Sequence, residues 1–418
     1  MARSRIDIEA ILEKVKPVVH AIRDEGDQAL LRLTREFDQV DLEERGIAVA
    51  PEEFTAAEKA LDQSVREALQ YAIGNVRRFH EIQLERSMKT IDVQPGIICS
   101  ERVTPIEKVG LYVPGGRGSF PSMLYMLAVP AVLAGVPVLA VTTPPLNDGS
   151  VDPAVLYAAR LCGVERVYRA GGSQAIAALA YGTETVPAVH KIVGPGSAWV
   201  AAAKRLVADR VDVGVPAGPS EAIILADGRA DPWRVALDLM IEAEHGSDSA
   251  ALLVTPSEEL GRAVADHVET LLPEVPEPRR TYLQDVFGGY GGIIITTSEQ
   301  QALDFVNEFG PEHLQIACED PRSTASRVTN ASEILLGGHS AFSLANYAAG
   351  PNAVLPTGGW SRTFGPVSVK DFQKSASLVE ITPEGYRSMR DHVIALADHE
   401  GFFTHAQALR RRDEAPGG

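Results

Sequence analysis

Cysteine is scarce in this chain, with three among 418 residues. Cys99, Cys162 and Cys318 stand far apart with no metal-like spacing, so they read as buried thiols of a reducing compartment. Positive charge is also short. Lys and Arg total 39 against 56 Asp and Glu, a formal net charge of −17, which argues against nucleic acid or an anionic membrane as a partner. Residues 1–11 carry charge throughout and have no apolar leader core, so no targeting segment is expected. The most apolar stretch, Met123–Val141, is interrupted by Pro130, Gly135 and Pro137 and reads as helix, turn and strand, not as a membrane span. A cytoplasmic location follows as the expectation. There is no low-complexity tract, no Gly-x-Gly-x-x-Gly fingerprint and no Walker lysine pattern. What is present is an ordinary soluble composition, 45% hydrophobic and 23% charged, at a length that favours two or more domains.

Helical periodicity marks the first part of the chain. Residues from Asp7 to Phe37 place Ile11, Leu12, Val15, Val18, Val19 and Ile22 on one side, and Pro17 is expected to bend or split that helix. Pro51 to Leu84 is a second helical region, opened by the acidic pair Glu52-Glu53. From Val109 the pattern becomes short apolar runs alternating with helices. Strands are expected at Val109–Val113, Val136–Val141, Val167–Arg169, Lys191–Val193 and Val211–Val215. Helices between them are expected at Ser122–Leu133, Pro153–Leu161, Gln174–Tyr181 and Ala198–Ala208. A second round places strands near Ile223–Leu225, Ala251–Val254, Ile293–Thr296, Leu314–Ala317 and Ile334–Leu336. This rhythm predicts an α/β chain with two consecutive, incomplete Rossmann-like parallel sheets between helical N- and C-terminal segments.

Three strand-to-helix turns of the first sheet are rich in glycine: Pro114-Gly115-Gly116-Arg117-Gly118, Gly171-Gly172 and Gly194-Pro195-Gly196. Each alone is an ordinary tight connection. Together, at one sheet edge facing helix N-termini, they favour a dinucleotide or phosphate ligand. The candidate chemistry lies elsewhere, in Phe309-Gly310-Pro311-Glu312-His313-Leu314. A Gly-Pro turn and a buried strand pin a carboxylate beside an imidazole, as acid–base work requires. A dipeptide of this kind is more often a surface Glu beside a half-buried His. Its company shifts the odds: Glu242-Ala243-Glu244-His245-Gly246, and Glu400 with His405.

Val109-Gly110-Leu111-Tyr112-Val113-Pro114-Gly115-Gly116, Gly172-Ser173-Gln174-Ala175-Ile176-Ala177-Ala178-Leu179-Ala180, Pro216-Ala217-Gly218-Pro219-Ser220-Glu221, Ala243-Glu244-His245-Gly246 and Gly310-Pro311-Glu312-His313-Leu314 follow one another in the order and at the spacing of histidinol dehydrogenases. Over nearly its whole length the chain resembles that family. The resemblance implies homodimers with terminal segments exchanged between subunits, one Zn2+ per site, and two NAD molecules used in turn to oxidise histidinol through the aldehyde to histidine. The implied division is an N-terminal helical segment 1–24, a metal and substrate domain 25–108 plus 221–360, a cofactor domain 109–220, and a C-terminal segment 361–418. By the same resemblance Tyr112, Gln174 and Ser197 stand at cofactor positions, although members usually have Asn where Ser197 is. Ser220 is a substrate contact, His313 the base for the alcohol proton, and Glu312 the group that activates water in the second oxidation. Glu400 is a substrate contact, and Glu242, His245, Asn346 and His405 hold the metal and face the substrate.

Three departures fall in the substrate and metal region. Members typically have Gln at Glu242 and Asp at Asn346, which moves the single ligand carboxylate from one position to the other. They place a substrate-contacting His at Ala353 and a polar residue at Phe342. The first expectation is therefore an NAD- and zinc-dependent dehydrogenase of histidinol or a related polar primary alcohol. The second is a paralogue acting on another polyol, amino alcohol or sulfonated alcohol. The third is a catalytically silent ligand-binding protein, against which the intact Glu312-His313 pair speaks. His20, His80, His190, His267, His392 and His399 are given no role, His339 either faces the site or lies on the surface, and Trp233 and Trp360 are read as packing residues.

Overall fold

The computed structural model describes residues 8–84, 88–115 and 118–414; Gly116 and Arg117 of the first glycine turn lie outside them. The chain divides into two compact units, Met1–Leu84 with Ile106–Phe372, and Glu85–Pro105 with Gln373–Gly418. In the second unit β1 (Lys89–Gln94) and β2 (Ile97–Pro105) form an antiparallel hairpin. The first unit carries two parallel sheets. One is built from β3 (Lys108–Tyr112), β4 (Val138–Thr143), β5 (Val167–Arg169) and β6 (Lys191–Val193), in the order β5-β4-β3-β6. The other is built from β7 (Glu221–Ala226), β8 (Ala250–Thr255), β9 (Gly292–Ile295), β10 (His313–Ala317) and β11 (Glu333–Leu336), in the order β11-β10-β7-β8-β9. Finally β12 (Gln373–Ile381) pairs antiparallel with β2 in the second unit, followed by the helices Pro383–His399 and Phe403–Arg410.

The two parallel sheets are the expected architecture, and strand alternation explains why they form. Along β7 every residue is buried, because Ala222, Ile224 and Ala226 enter one apolar cluster and Ile223 and Leu225 the opposite one. The first sheet does the same, with Leu111 on one side and Tyr112 on the other. A strand apolar on both faces belongs in a sheet covered on both sides by helices.

Several local expectations are corrected. Pro17 lies inside an unbroken helix, Ile8–Glu25. Its buried face of Val15, Val18, Val19 and Ile22 packs in the core with the Gly172–Tyr181 and Ala198–Val207 helices, and that packing outweighs the lost backbone bond. The break comes instead at Gly26, whose φ of 57° starts the helix Asp27–Phe37. The second helical region is divided at Leu61–Asp62. Val211–Val215 is not a strand: only Asp212 bridges to Lys191, and Gly214 turns away at φ 68°. The antiparallel sheet of β1, β2 and β12 has no counterpart in the sequence reading. Its outer strands β1 and β12 are almost wholly exposed, so the apolar pattern that reveals a buried strand is missing. Of the thiols, Cys162 alone is buried, while Trp233 and Trp360 are half-exposed and each packs against one ring, His267 and Phe364.

Candidate active site

The Gly-Pro turn works as the sequence suggests. The helix Glu299–Phe309 ends on Gly310 in the left-handed region, φ 61°, and the chain enters β10 three residues later with Glu312 and His313 both buried. His313 Nδ1 lies 2.8 Å from Glu333 Oε2. Since a carboxylate only accepts, Nδ1–H donates, and Nε2 is left toward Glu312 Oε1 at 3.8 Å. The parallel register sets this contact, because His313 pairs with Glu333, the first residue of β11. Glu312 Oε2 accepts from the backbone N–H of Glu221, the first residue of β7, at 2.9 Å. Glu221 Oε2 in turn accepts from Gly358 N at 3.1 Å. Phe342, fully buried, packs its ring in a T-shaped contact with the imidazole, ring centroids 5.8 Å apart.

Glu242 ends the helix Pro232–Ala243 and is buried. Its Oε1 accepts from Asn346 Nδ2 at 2.7 Å, and its Oε2 lies 3.3 Å from His245 Nε2. Burial raises the Glu242 carboxyl, but the fields of His313 and His245 and the Asn346 bond outweigh it and hold it below the ordinary value. Burial, joined by the charges of Glu242 and Glu221, pushes Glu312 up to about 8 against the pull of His313. Burial also works to neutralise His313, yet the carboxylates of Glu242, Glu312 and Glu333 lift it to about 10. Both side chains are buried, Glu312 at 7% and His313 at 3% exposure, so each proton affinity is set by its neighbours more than by solvent.

Three of the expected metal ligands thus meet in one place. Among the described residues no three His, Cys, Asp or Glu side chains group as a metal cradle, because the third donor here is an amide. The fit rests on that amide: Asn346 Oδ1 is buried without a hydrogen-bond partner. A carboxylate, an imidazole and an orphaned amide oxygen suit a divalent ion. Glu400 and His405 are exposed and belong to the second unit. Ser220, half-buried just before β7, accepts from Ala250 N at 2.8 Å through its carbonyl.

The proposed cofactor residues gather at the carboxyl end of the first sheet. Tyr112 closes β3, and its buried hydroxyl accepts from Gly172 N at 3.1 Å; burial pushes it up to about 12. Gln174 is buried and donates to Asp38 Oδ2 at 3.1 Å. Gly194 follows β6 at φ 130°, where an added Cβ would stand 2.1 Å from Tyr112 O. Ser197, exposed, heads the helix Ala198–Val207 without capping it through its side chain. The helix Gly172–Tyr181 is equally uncapped, and neither has an acidic residue in its first turn. Gly172 N is taken by Tyr112, and the other first-turn N–H groups, left without a side-chain cap at both helix starts, suit a pyrophosphate.

Sequence reasoning missed Glu333, Glu221 and Asp38. A signal for Glu333 existed: like His313, it heads a short strand whose following residues are mostly apolar.

A sheet edge ready for a dinucleotide, with a buried acid–base pair in the same unit, has the make-up of a dehydrogenase. The histidinol dehydrogenase family model matches residues 1–413. A histidinol dehydrogenase homolog of Rhizobium meliloti is 51% identical over 98% of this chain and 90% of its own length. The histidinol dehydrogenase of Synechocystis is 47% identical over 98% of this chain and 95% of its own length. The crystal structure of histidinol dehydrogenase from Elizabethkingia anophelis superposes with a TM-score of 0.93 at 35% identity, covering 99% of this chain and 94% of that one. The chain belongs to the histidinol dehydrogenase family, a family of NAD-dependent dehydrogenases. Among its near relatives some are named as the enzyme and others as homologs of it.

Proposed function

We propose that the protein uses NAD and a divalent ion, zinc by resemblance, to oxidise a polar primary alcohol through the aldehyde to the carboxylate, and that the alcohol is a relative of histidinol rather than histidinol itself. The observation that carries the reading is the buried Glu333–His313–Glu312 line beside Glu242, His245 and Asn346. Glu333 fixes the imidazole by its Nδ1 proton, so proton exchange with the alcohol falls to Nε2, which accepts in the fraction of the protein that the surrounding carboxylates have not already protonated. Glu312, whose carboxyl burial raises to about 8, stands beside that nitrogen to pass the proton on, and in its carboxylate form would activate water for the second oxidation. Glu242, His245 and Asn346 would hold the ion, which would supply a positive anchor for the alcohol's polar groups. The resemblance adds His405 as a further ligand and Glu400 as a substrate contact. Tyr112, Gln174 and Ser197 line the edge assigned to the cofactor, which carries the hydride.

The substrate shift rests on Ala353 and Phe342. Phe342 packs a hydrocarbon ring against His313, where members usually offer a polar group. A homodimer is part of the proposal, supported by apolar residues exposed on the second unit, Ile91, Val379 and Phe403 among them. No helix among the described residues is long and apolar enough to cross a membrane. The test is NADH formation with a panel of amino alcohols, polyols and sulfonated alcohols, histidinol included. Ala353→His is expected to raise kcat/KM for histidinol by roughly 10-fold, the worth of one restored hydrogen bond in a polar site. High efficiency with histidinol in the unaltered protein would contradict the substrate shift, and no NADH from any alcohol would contradict the enzyme itself.

A further inference from the structure

The carboxyl edge of the second sheet has no part in the chemistry above. Its strands run from β7 outward to β8 and β9 on one side and to β10 and β11 on the other, so the topological switch lies between β7 and β10. Ligands of open α/β sheets bind outside the carboxyl ends of the strands at that point. A cavity of about 250 Å³ opens there. It exceeds the ~150 Å³ of a benzene-sized cavity.

Its lining is built for hydrogen-bond donors. Four carboxylates, Asp227, Asp231, Asp238 and Glu319, meet two guanidiniums, Arg229 and Arg234. Arg229 is taken by Glu319, and Arg234 lies 3.4 Å from Asp231. The first helix turn, where a dinucleotide phosphate would sit, is closed by Asp231, which accepts from Trp233 N at 3.0 Å. An anion is therefore disfavoured at this edge, in contrast to the uncapped helices of the first sheet. The second observation is independent of the acidic residues. Gln315 on β10 also lines the cavity and is 1% exposed. Its amide nitrogen donates to Asp238 Oδ2 at 2.7 Å and Ser340 O at 3.1 Å, while Oε1, buried, has no partner. A buried acceptor without a donor is costly, and a ligand N–H would satisfy it.

We propose that this cavity is a second ligand site, distinct from the active site, that takes a small amine or guanidine cation on Asp238 and the Gln315 amide oxygen. The proposal does not depend on the substrate assigned above.

The probe is agmatine, a compact molecule with a guanidinium and an ammonium, titrated calorimetrically into the full-length protein at low salt. Saturable binding of one equivalent is expected from this site. Asp238→Asn should weaken it by at least about 10-fold, the loss of one charged hydrogen-bond partner. Gly338→Phe should do the same by filling the mouth; Gly338 lines the cavity, a Cβ there meets nothing within 4 Å, and an unaltered melting temperature confirms that the variant folds. Glu242→Gln should leave agmatine affinity unchanged. No binding at millimolar agmatine, or binding lost in Glu242→Gln and kept in Asp238→Asn and Gly338→Phe, overturns the proposal. The second result would place the amine at the other acidic centre.

Discussion

The two parallel sheets of this protein share one winding scheme, and the proposed chemistry draws on their opposite edges. In the first, the residues assigned to the cofactor stand where the strands end: Tyr112 closes β3, and Gly194 and Ser197 follow β6. In the second, the residues assigned to proton transfer and their hydrogen-bond partners stand where the strands begin: Glu221 opens β7, His313 opens β10 and Glu333 opens β11. The chemistry of each edge explains the difference. The carboxyl edge of the first sheet offers helix N-termini and glycine turns, which suit phosphate. The amino edge of the second offers side chains brought into register by neighbouring parallel strands, buried on both faces, where proton affinities can be moved far from their usual values. Hydride carriage needs the first kind of surface and proton transfer the second.

The sharpest break of this comparison is at His313. Replacing it with Gln is expected to lower alcohol oxidation by at least ~10²-fold, the usual worth of a general base, with NAD affinity unchanged because no cofactor residue is disturbed. Stopped-flow hydride transfer reads the effect, and an unaltered rate would remove His313 from the chemistry. Glu242→Gln comes next. It is expected to empty the metal site, and Glu242→Gln with Asn346→Asp to refill it, since the carboxylate would then stand at the other ligand position. Metal content after dialysis decides this; a double variant as empty as the single one contradicts the exchange of ligand charge.

At the first sheet the expected effects are smaller. Gly194→Ala would set a Cβ 2.1 Å from Tyr112 O at φ 130°, a strain on the order of 1–3 kcal/mol. Both the melting temperature and NAD affinity should fall while metal content stays. The smallest effect is at Asp38. Burial raises its carboxyl to about 6, above the ordinary value it has when unfolded. The folded protein therefore binds a proton more readily, and the resulting stability is full below about pH 4 and lost as pH rises to about 6. Asp38→Asn removes that loss, so it should stabilise the protein at pH 7 by about 1–2 kcal/mol after allowance for partial exposure and leave it unchanged below pH 4. Urea titrations at pH 3.5 and 7 test the sign.

Much of this was legible in the residues. Both parallel sheets show in the sequence because their strands are apolar on both faces, and the Glu312-His313 pair shows because a turn and a strand frame it. Glu333 was harder to see, since its role comes from strand register and not from any neighbour in sequence. The β1–β2–β12 sheet escaped because exposed strands carry no burial pattern, and its third strand arrives more than 250 residues after its second. The helix break at Gly26 instead of Pro17 was decided by packing, which local propensity does not contain.

The division of labour between the two edges is tested most directly by titrating NAD into the His313→Gln and Gly194→Ala proteins and measuring turnover in the same samples. The account predicts that His313→Gln binds NAD like the unaltered protein and turns over at least ~10²-fold more slowly, while Gly194→Ala binds NAD more weakly and regains its rate at saturating cofactor. Loss of NAD binding in His313→Gln, or full NAD affinity in Gly194→Ala, would contradict it.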